Sequence, residues 1–264
     1  MAETVFSAFK EAAARDVAAD FLAGPSEGAS LCYGAALVEI EKLARRYGDA
    51  GYGHGHRVAL LLENRSAFLL LWLALNSLGI AVVPINSYYR RRELTHLLSH
   101  SGVTLAVVLG ESLEVVQAAN NFVAVMDVDG DEIPPSKTTP PFSSDANRES
   151  LCGLLYTSGT TGEPKGCLLS NDYYLRMGHW YLSQGGLCTL NPGKERLLTP
   201  LPLYHMNAMA CSFMAMVMSG GCLIQLDRFH PATWWDDVAG SGATIIHYAS
   251  HSTSVGGLRG RTRS

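Results

Sequence analysis

Three short apolar runs, at residues 57–62, 80–85 and 105–109, set the terms on which this chain folds. Each is preceded by a longer stretch whose apolar residues recur at three- and four-residue spacing. Ala36, Leu37, Ile40, Leu43, Ala44 and Tyr47 precede the first run, residues 66–78 the second, and Leu94, Leu97 and Leu98 the third. A continuous apolar run suits a strand covered on both faces, and an amphipathic helix between two such runs returns the chain to the same end. The expected fold class is therefore α/β, with alternating helix/strand units forming layered parallel sheets.

The remaining elements extend this pattern. A helix is expected at residues 6–19, followed by a turn at residues 24–28 that closes a hairpin ahead of Leu31. Asn64 or Ser66 is expected to cap the helix at 66–78, and Gly102 to stop a helix at 92–99. A short helix near Val115 and a strand at 122–126 complete the first series. Residues 127–150 then break the rhythm with Pro134, Pro135, Pro140 and Pro141, which reads as a linker or a long surface loop. Beyond it come strands at 151–156 and 166–169, a helix at 172–182 capped by Ser170 or Asn171, and a strand at 196–198. A methionine-rich helix from Met206, a strand at 222–226, a helix at 232–239 and a strand at 243–248 follow. The expected organisation is a first α/β subdomain at 1–128, a Pro/Ser-rich linker or loop at 129–150, the start of a second α/β subdomain at 151–248, and a tail at 249–264.

Between the strands at 151–156 and 166–169 lies Tyr-Thr-Ser-Gly-Thr-Thr-Gly-Glu-Pro-Lys-Gly, residues 156–166. Its glycines free backbone N–H groups, its hydroxyls at Thr157, Ser158, Thr160 and Thr161 add donors, and Lys165 adds a mobile positive charge. Such a set suits the β- and γ-phosphates of a nucleotide, each charge-assisted bond contributing about 1.5–3 kcal/mol. It is not a Walker loop, because Gly166 rather than Ser or Thr follows Lys165 and Pro164 precedes it. The plainer alternative is a polar turn joining two strands.

These eleven residues resemble the phosphate loop of the AMP-forming acyl-CoA synthetases, a family that includes luciferases and the adenylation domains of peptide synthetases. Three further segments carry the resemblance in the same order: Ser30-Leu31-Cys32-Tyr33, the stretch from Leu75 to Asn86, and Leu201-Pro-Leu-Tyr-His-Met-Asn-Ala208. It covers roughly residues 30 to 248. The resemblance implies the N-terminal part of a ligase that joins a carboxylic acid to AMP and then to coenzyme A, with fatty acid metabolism as the expected setting. It implies that Thr157, Ser158, Gly159, Thr160, Thr161, Gly162 and Lys165 hold ATP with Mg²⁺, and that His205 stands near the substrate carboxylate and the thiol's path. A core histidine under the methionine-rich helix is the alternative for His205. Met206, Met209, Met214, Met216 and Met218 line an acyl pocket or fill core.

The family's adenine-binding and ribose-binding segments and its C-terminal domain have no counterpart before residue 248. Residues 249–264 carry no acidic residue and space Arg259, Arg261 and Arg263 with Gly and Thr, which reads as a disordered tail left by a frameshift or premature stop. A truncated and inactive chain that binds nucleotide or a partner is thus the competing expectation.

Composition narrows the remaining classes. The chain has 264 residues, 47% of them hydrophobic, and a net charge of −4, so a large core is expected and general attraction for nucleic acid is not. Cysteines at 32, 152, 167, 188, 211 and 222 form no Cys-x-x-Cys pair, which argues against zinc and for reduced thiols in a cytoplasmic protein. No signal peptide is read at the start, and residues 67–85 and 206–226 read as buried helices running into strands rather than membrane spans. Tyr88 to Arg92 is read as a solvated helix start, with coenzyme A phosphates or nucleic acid as the alternative ligand. His96 and His100 lack the acid of a zinc protease motif and are placed on the surface, with no metal expected.

Overall fold

The computed structural model describes residues 2–24, 30–157 and 164–248. Its six-stranded sheet runs in the order β6 (Ala124–Asp127), β5 (Leu105–Val108), β3 (Arg57–Leu61), β4 (Ala81–Pro84), β7 (Leu151–Thr157), β8 (Lys165–Ser170). All neighbours are parallel except β7 and β8, which form an antiparallel hairpin. The five-stranded sheet runs β11 (Ile245–Ile246), β9 (Arg196–Thr199), β10 (Cys222–Gln225), β1 (Asp20–Ala23), β2 (Leu31–Cys32), parallel apart from the β1–β2 pair.

The period-two alternation of the strands sorts the core into layers. Val58, Leu60, Val82, Leu105 and Val107 face inward from the first sheet, and Leu197 and Leu223 from the second, onto one shared cluster. That cluster takes in α1 (Val5–Arg15), α2 (Tyr33–Asp49), α3 (Ser66–Ser77), α6 (Asn171–Leu182) and α7 (Met214–Ser219). Ala59, Leu61, Val83, Ile85, Ala106 and Val108 face the other way, onto α4 (Arg91–Ser101) and α5 (Leu113–Ala119). On the outer face of the second sheet Leu198, Cys222 and Ile224 pack against Trp234 of α8 (Trp234–Gly240). Helices therefore cover both faces of each sheet, with α3 at the centre. Phe68, Leu69, Leu71, Trp72, Leu73, Ala74 and Leu75 are all buried, the signature of a helix with no solvent face. Burial of each such large side chain contributes about 1.5–3 kcal/mol.

Local signals place the ends of these elements. Thr4 and Ser7 form a reciprocal capping box on α1, Ser170 caps α6, and Gly102 closes α4 with φ of 65°, a left-handed turn that glycine adopts without strain. Cys32, in the segment that carries the family resemblance, accepts from Ala35 N–H at 3.5 Å and caps α2. Two expectations need correction. Neither Asn64 nor Ser66 caps α3, whose N-cap is Arg65 with no side-chain cap bond. The methionine-rich helix does not begin as a plain α-helix, because residues Asn207–Phe213 are wound as a π-helix before α7 starts.

The strands do not sort by chain order. β7 and β8, after the proline-rich stretch, extend the first sheet, whereas β1 and β2, from the start of the chain, extend the second. The stretch itself is a surface loop strapped onto the α2–β3 connection. Tyr52 Oη donates to Pro134 O at 3.0 Å, Ser136 N–H to Ala50 O at 2.8 Å and Phe142 N–H to His54 O at 3.2 Å. The tail expected at 249–264 lies outside the described residues. Among the described residues no helix is long and apolar enough to cross a membrane.

Candidate active site at the carboxyl edges of both sheets

In an open α/β sheet the loops leaving the carboxyl ends of parallel strands form the natural ligand crevice. Here both sheets turn that edge to the same side. β3 delivers Glu63 and Asn64, β4 delivers Ser87 and Tyr88, β9 delivers the loop from Pro200 to His205, and β10 delivers Asp227 and Arg228. Glu63, Asn64, Ser87, Tyr88, Tyr204 and Arg228 line a cleft of about 270 Å³ between the sheets. A larger groove of about 460 Å³ lies at the opposite edge, against His54, Phe142 and Leu168, away from the motifs singled out in the sequence.

The glycine- and hydroxyl-rich stretch joins β7 to β8 at the carboxyl end of β7. Thr157 and Lys165 face each other on the last rung of the hairpin, and both are exposed. The proposed phosphate ligands Ser158, Gly159, Thr160, Thr161 and Gly162 lie outside the described residues. The rung below pairs Tyr156 with Gly166. Tyr156 Oη is 2.7 Å from Nδ1 of His100, which ties the base of the hairpin to α4. A Cβ on Gly166 would stand 2.8 Å from Leu154 Cδ1 and 3.4 Å from Tyr156 Cζ, so the strand passes there without a side chain. Burial pushes the Tyr156 phenol above its ordinary pKa, and the Arg57 charge partly offsets this.

His205 is exposed at the end of the β9 loop, which rules out the core-histidine alternative. Its ring lies 4.6 Å from that of Tyr204, its N–H donates to Pro202 O at 3.0 Å, and its carbonyl accepts from Ala208 and Met209 N–H groups. The surrounding protein disfavours the charged imidazolium and pushes its pKa below the ordinary value. Of the methionines, Met209, Met214 and Met216 are fully buried in the core, while Met206 remains partly exposed. Tyr88 is exposed, as are Arg90, Arg91 and Arg92; Arg90 N–H bonds Glu93 in the first turn of α4 and Arg91 donates to Ala118 O, as a solvated helix start would. His96 and His100 stack on α4 at 5.6 Å.

Two residues of this edge, Ser212 and His247, carried no local signal in the sequence, and a third, Asn64, signalled only a helix cap. Ser212, in the π-helical segment, is 2.5 Å from Nδ1 of His247 at the end of β11, and burial lowers the His247 pKa. Asn64 bonds the loops after β9 and β10. These partners are separated by 35 and by 137 to 162 residues, beyond any motif window.

The two sheets and their shared carboxyl edge define a layered α/β protein with an open ligand crevice. The chain belongs to the AMP-binding enzyme family, which matches residues 9–251. It is 31% identical to the sulfoacetate–CoA ligase of Cupriavidus necator over 240 residues, covering 86% of this chain and 46% of that protein. It is 29% identical over 219 residues to a feruloyl-CoA synthase of Amycolatopsis sp, covering 83% of this chain and 43% of the relative. The chain thus spans somewhat under half the length of these relatives. Its fold is similar to that of the inhibitor-bound N-terminal domain of FACL13 from Mycobacterium tuberculosis, with a TM-score of 0.79 at 22% identity over 93% of this chain and 62% of that one. ATP-bound MatB from Rhodopseudomonas palustris gives a TM-score of 0.74 at 23% identity, over 90% of this chain and 48% of the other.

Proposed function

We propose that this chain carries the phosphate grip and the substrate-side histidine of an AMP-forming acid–thiol ligase. The observation that carries this reading is the placement of Thr157 and Lys165 across from each other at the mouth of a hairpin, on the same edge as His205. In the proposed reaction a carboxylate oxygen attacks the α-phosphorus of ATP, a P–O bond forms, and pyrophosphate leaves. The coenzyme A thiol then attacks the acyl carbon, and AMP leaves with the bonding electrons. Thr157, Ser158, Gly159, Thr160, Thr161, Gly162 and Lys165 hold and neutralise the β- and γ-phosphates, so positioning and charge do most of the work. His205, whose surroundings disfavour the charged imidazolium, is assigned to the side on which the acid and the thiol approach.

Mg²⁺ supplies further charge neutralisation on the phosphate oxygens when bound. Among the described residues no group of three or more His, Cys, Asp or Glu converges as a cage. The substrate is proposed to be a small or medium-chain carboxylic acid, and the named acids of the relatives are consistent with that breadth.

The test is turnover. ATP–pyrophosphate exchange and acyl-hydroxamate formation from ATP and an added acid support the ligase. Nucleotide binding without either reaction would assign the chain as a non-catalytic binding module.

A further inference from the structure

Asn64 lies between β3 and α3, where a capping residue is expected, yet its carboxamide points to the other sheet. Nδ2 donates to the carbonyls of Leu201 and Leu226 at 3.0 Å each, and Oδ1 accepts the Leu203 N–H at 2.8 Å. Leu201 and Leu203 belong to the loop after β9, and Leu226 follows β10. Gln225, at the end of β10, donates from Nε2 to the same two carbonyls at 3.2 and 3.0 Å and to Thr199 O at 3.1 Å. The Leu201 and Leu226 carbonyls thus each take two side-chain donors, one from either sheet, which uses the full acceptor capacity of the oxygen.

The loop so held has few backbone bonds of its own. Pro200 and Pro202 lack an N–H, which removes two of the backbone donors that would otherwise brace the segment. The remaining local bonds run from Leu201 N–H to Thr199 Oγ1 at 3.1 Å and from His205 N–H to Pro202 O at 3.0 Å. Between them, Leu203 N–H is satisfied by Asn64. Leu203 is two residues before His205, and its buried side chain anchors the loop in the core cluster.

We propose that Asn64 is a positioning residue for His205: from the first sheet it fixes the path of the Pro200–Tyr204 loop, which lines the cleft, and so the place of the imidazole that follows it. The proposal rests on the reading of His205 given above only for its chemical purpose; the mechanical link stands on the bonds themselves. A carboxamide is required because the loop offers two acceptors and one donor to the same side chain. Aspartate keeps the bond from Leu203 N–H but turns a carboxylate oxygen toward two carbonyls, and alanine leaves all three groups to Gln225 or to water.

The test follows the histidine imidazoles of the 264-residue chain by ¹H–¹³C NMR across a pH series, with His205 assigned by His205→Gln. In Asn64→Ala and Asn64→Asp the His205 resonance is expected to move and its titration midpoint to rise toward the ordinary value of about 6.5, while His100, tied to Tyr156, keeps its resonance. Asn64→Gln, which retains the amide on a longer arm, is expected to restore part of the native signal. An unchanged His205 resonance and midpoint in Asn64→Asp, with only a lower melting temperature, would overturn the proposal and leave Asn64 as a fastener between sheets. Asn64→Asp carries the test if Asn64→Ala does not fold. ATP–pyrophosphate exchange by the wild-type chain tests the ligase reading separately. Where exchange is present, Asn64→Asp is expected to lower kcat about tenfold or more with KM for ATP little changed.

Discussion

Thr157 and Lys165 stand directly opposite each other on the last rung of the β7–β8 hairpin. A hydroxyl on one strand and an ammonium on the other can approach a bound anion from two sides. Sheet pairing below them, anchored through Tyr156 and His100, holds that spacing.

Lys165→Ala is expected to weaken MgATP binding about tenfold or more, the loss of one charge-assisted contact, and to depress ATP–pyrophosphate exchange with it. Because Lys165 is exposed, its melting temperature should stay close to that of the wild type. Isothermal titration together with exchange assays checks this, and unimpaired exchange by the variant would remove Lys165 from the phosphate grip.

Gly153→Ala should destabilise the fold by about 1–3 kcal/mol through overpacking. A Cβ at Gly153 would stand 2.5 Å from the Tyr174 hydroxyl, and Tyr174 is fully buried with its ring 5.0 Å from that of Trp72, so the ring has little room to yield. Urea unfolding measures the loss, and a variant of wild-type stability would show that α6 can shift away from β7.

Asn171→Ala should cost at least about 3 kcal/mol, since several buried groups lose partners at once. Asn171 Oδ1 accepts from Val5 N–H at 3.1 Å and from Asn76 Nδ2 at 2.8 Å, and its Nδ2 donates to Asn147 O at 3.0 Å. This one amide joins α1, α3, α6 and the proline-rich strap. Chemical denaturation and hydrogen exchange at the start of α1 would reveal the effect.

His56 predicts a pH dependence that reaches the strap. Its Nδ1 accepts the Gly53 N–H at 3.2 Å and Nε2 lies 3.2 Å from Thr138 Oγ1, and burial lowers its pKa. Below the unfolded value of about 6.5 the unfolded chain takes up a proton that the folded ring resists, so stability falls as pH drops through that value and levels off below the folded pKa. His56→Gln should flatten part of the slope between about pH 7.5 and about pH 5.5, while His205 and His247, whose surroundings also disfavour the charged ring, keep the remainder. Equal slopes in variant and wild type would exclude His56 from the effect.

The succession of helices and strands was legible along the chain because each element announces itself within its own length. The three apolar runs became β3, β4 and β5 within a residue or two, Gly102 closed α4, and Ser170 capped α6. The glycine- and hydroxyl-rich motif stands out for the same reason, as its residues are consecutive. The π-helical start at Asn207 was not, since a wider turn and a normal one use the same apolar spacing, and its Ser212–His247 contact depends on a strand laid down later.

By itself the sequence determined the kind of protein: a layered α/β chain with a glycine- and hydroxyl-rich stretch between two strands, because short-range patterning governs local conformation. Only the tertiary structure decided which sheet each strand joined, that β7 and β8 pair antiparallel, and that Asn64 serves the opposite sheet instead of its own helix. Those outcomes turn on which distant surfaces bury one another and where unpaired backbone groups find partners, and neither is encoded in any single stretch of the chain.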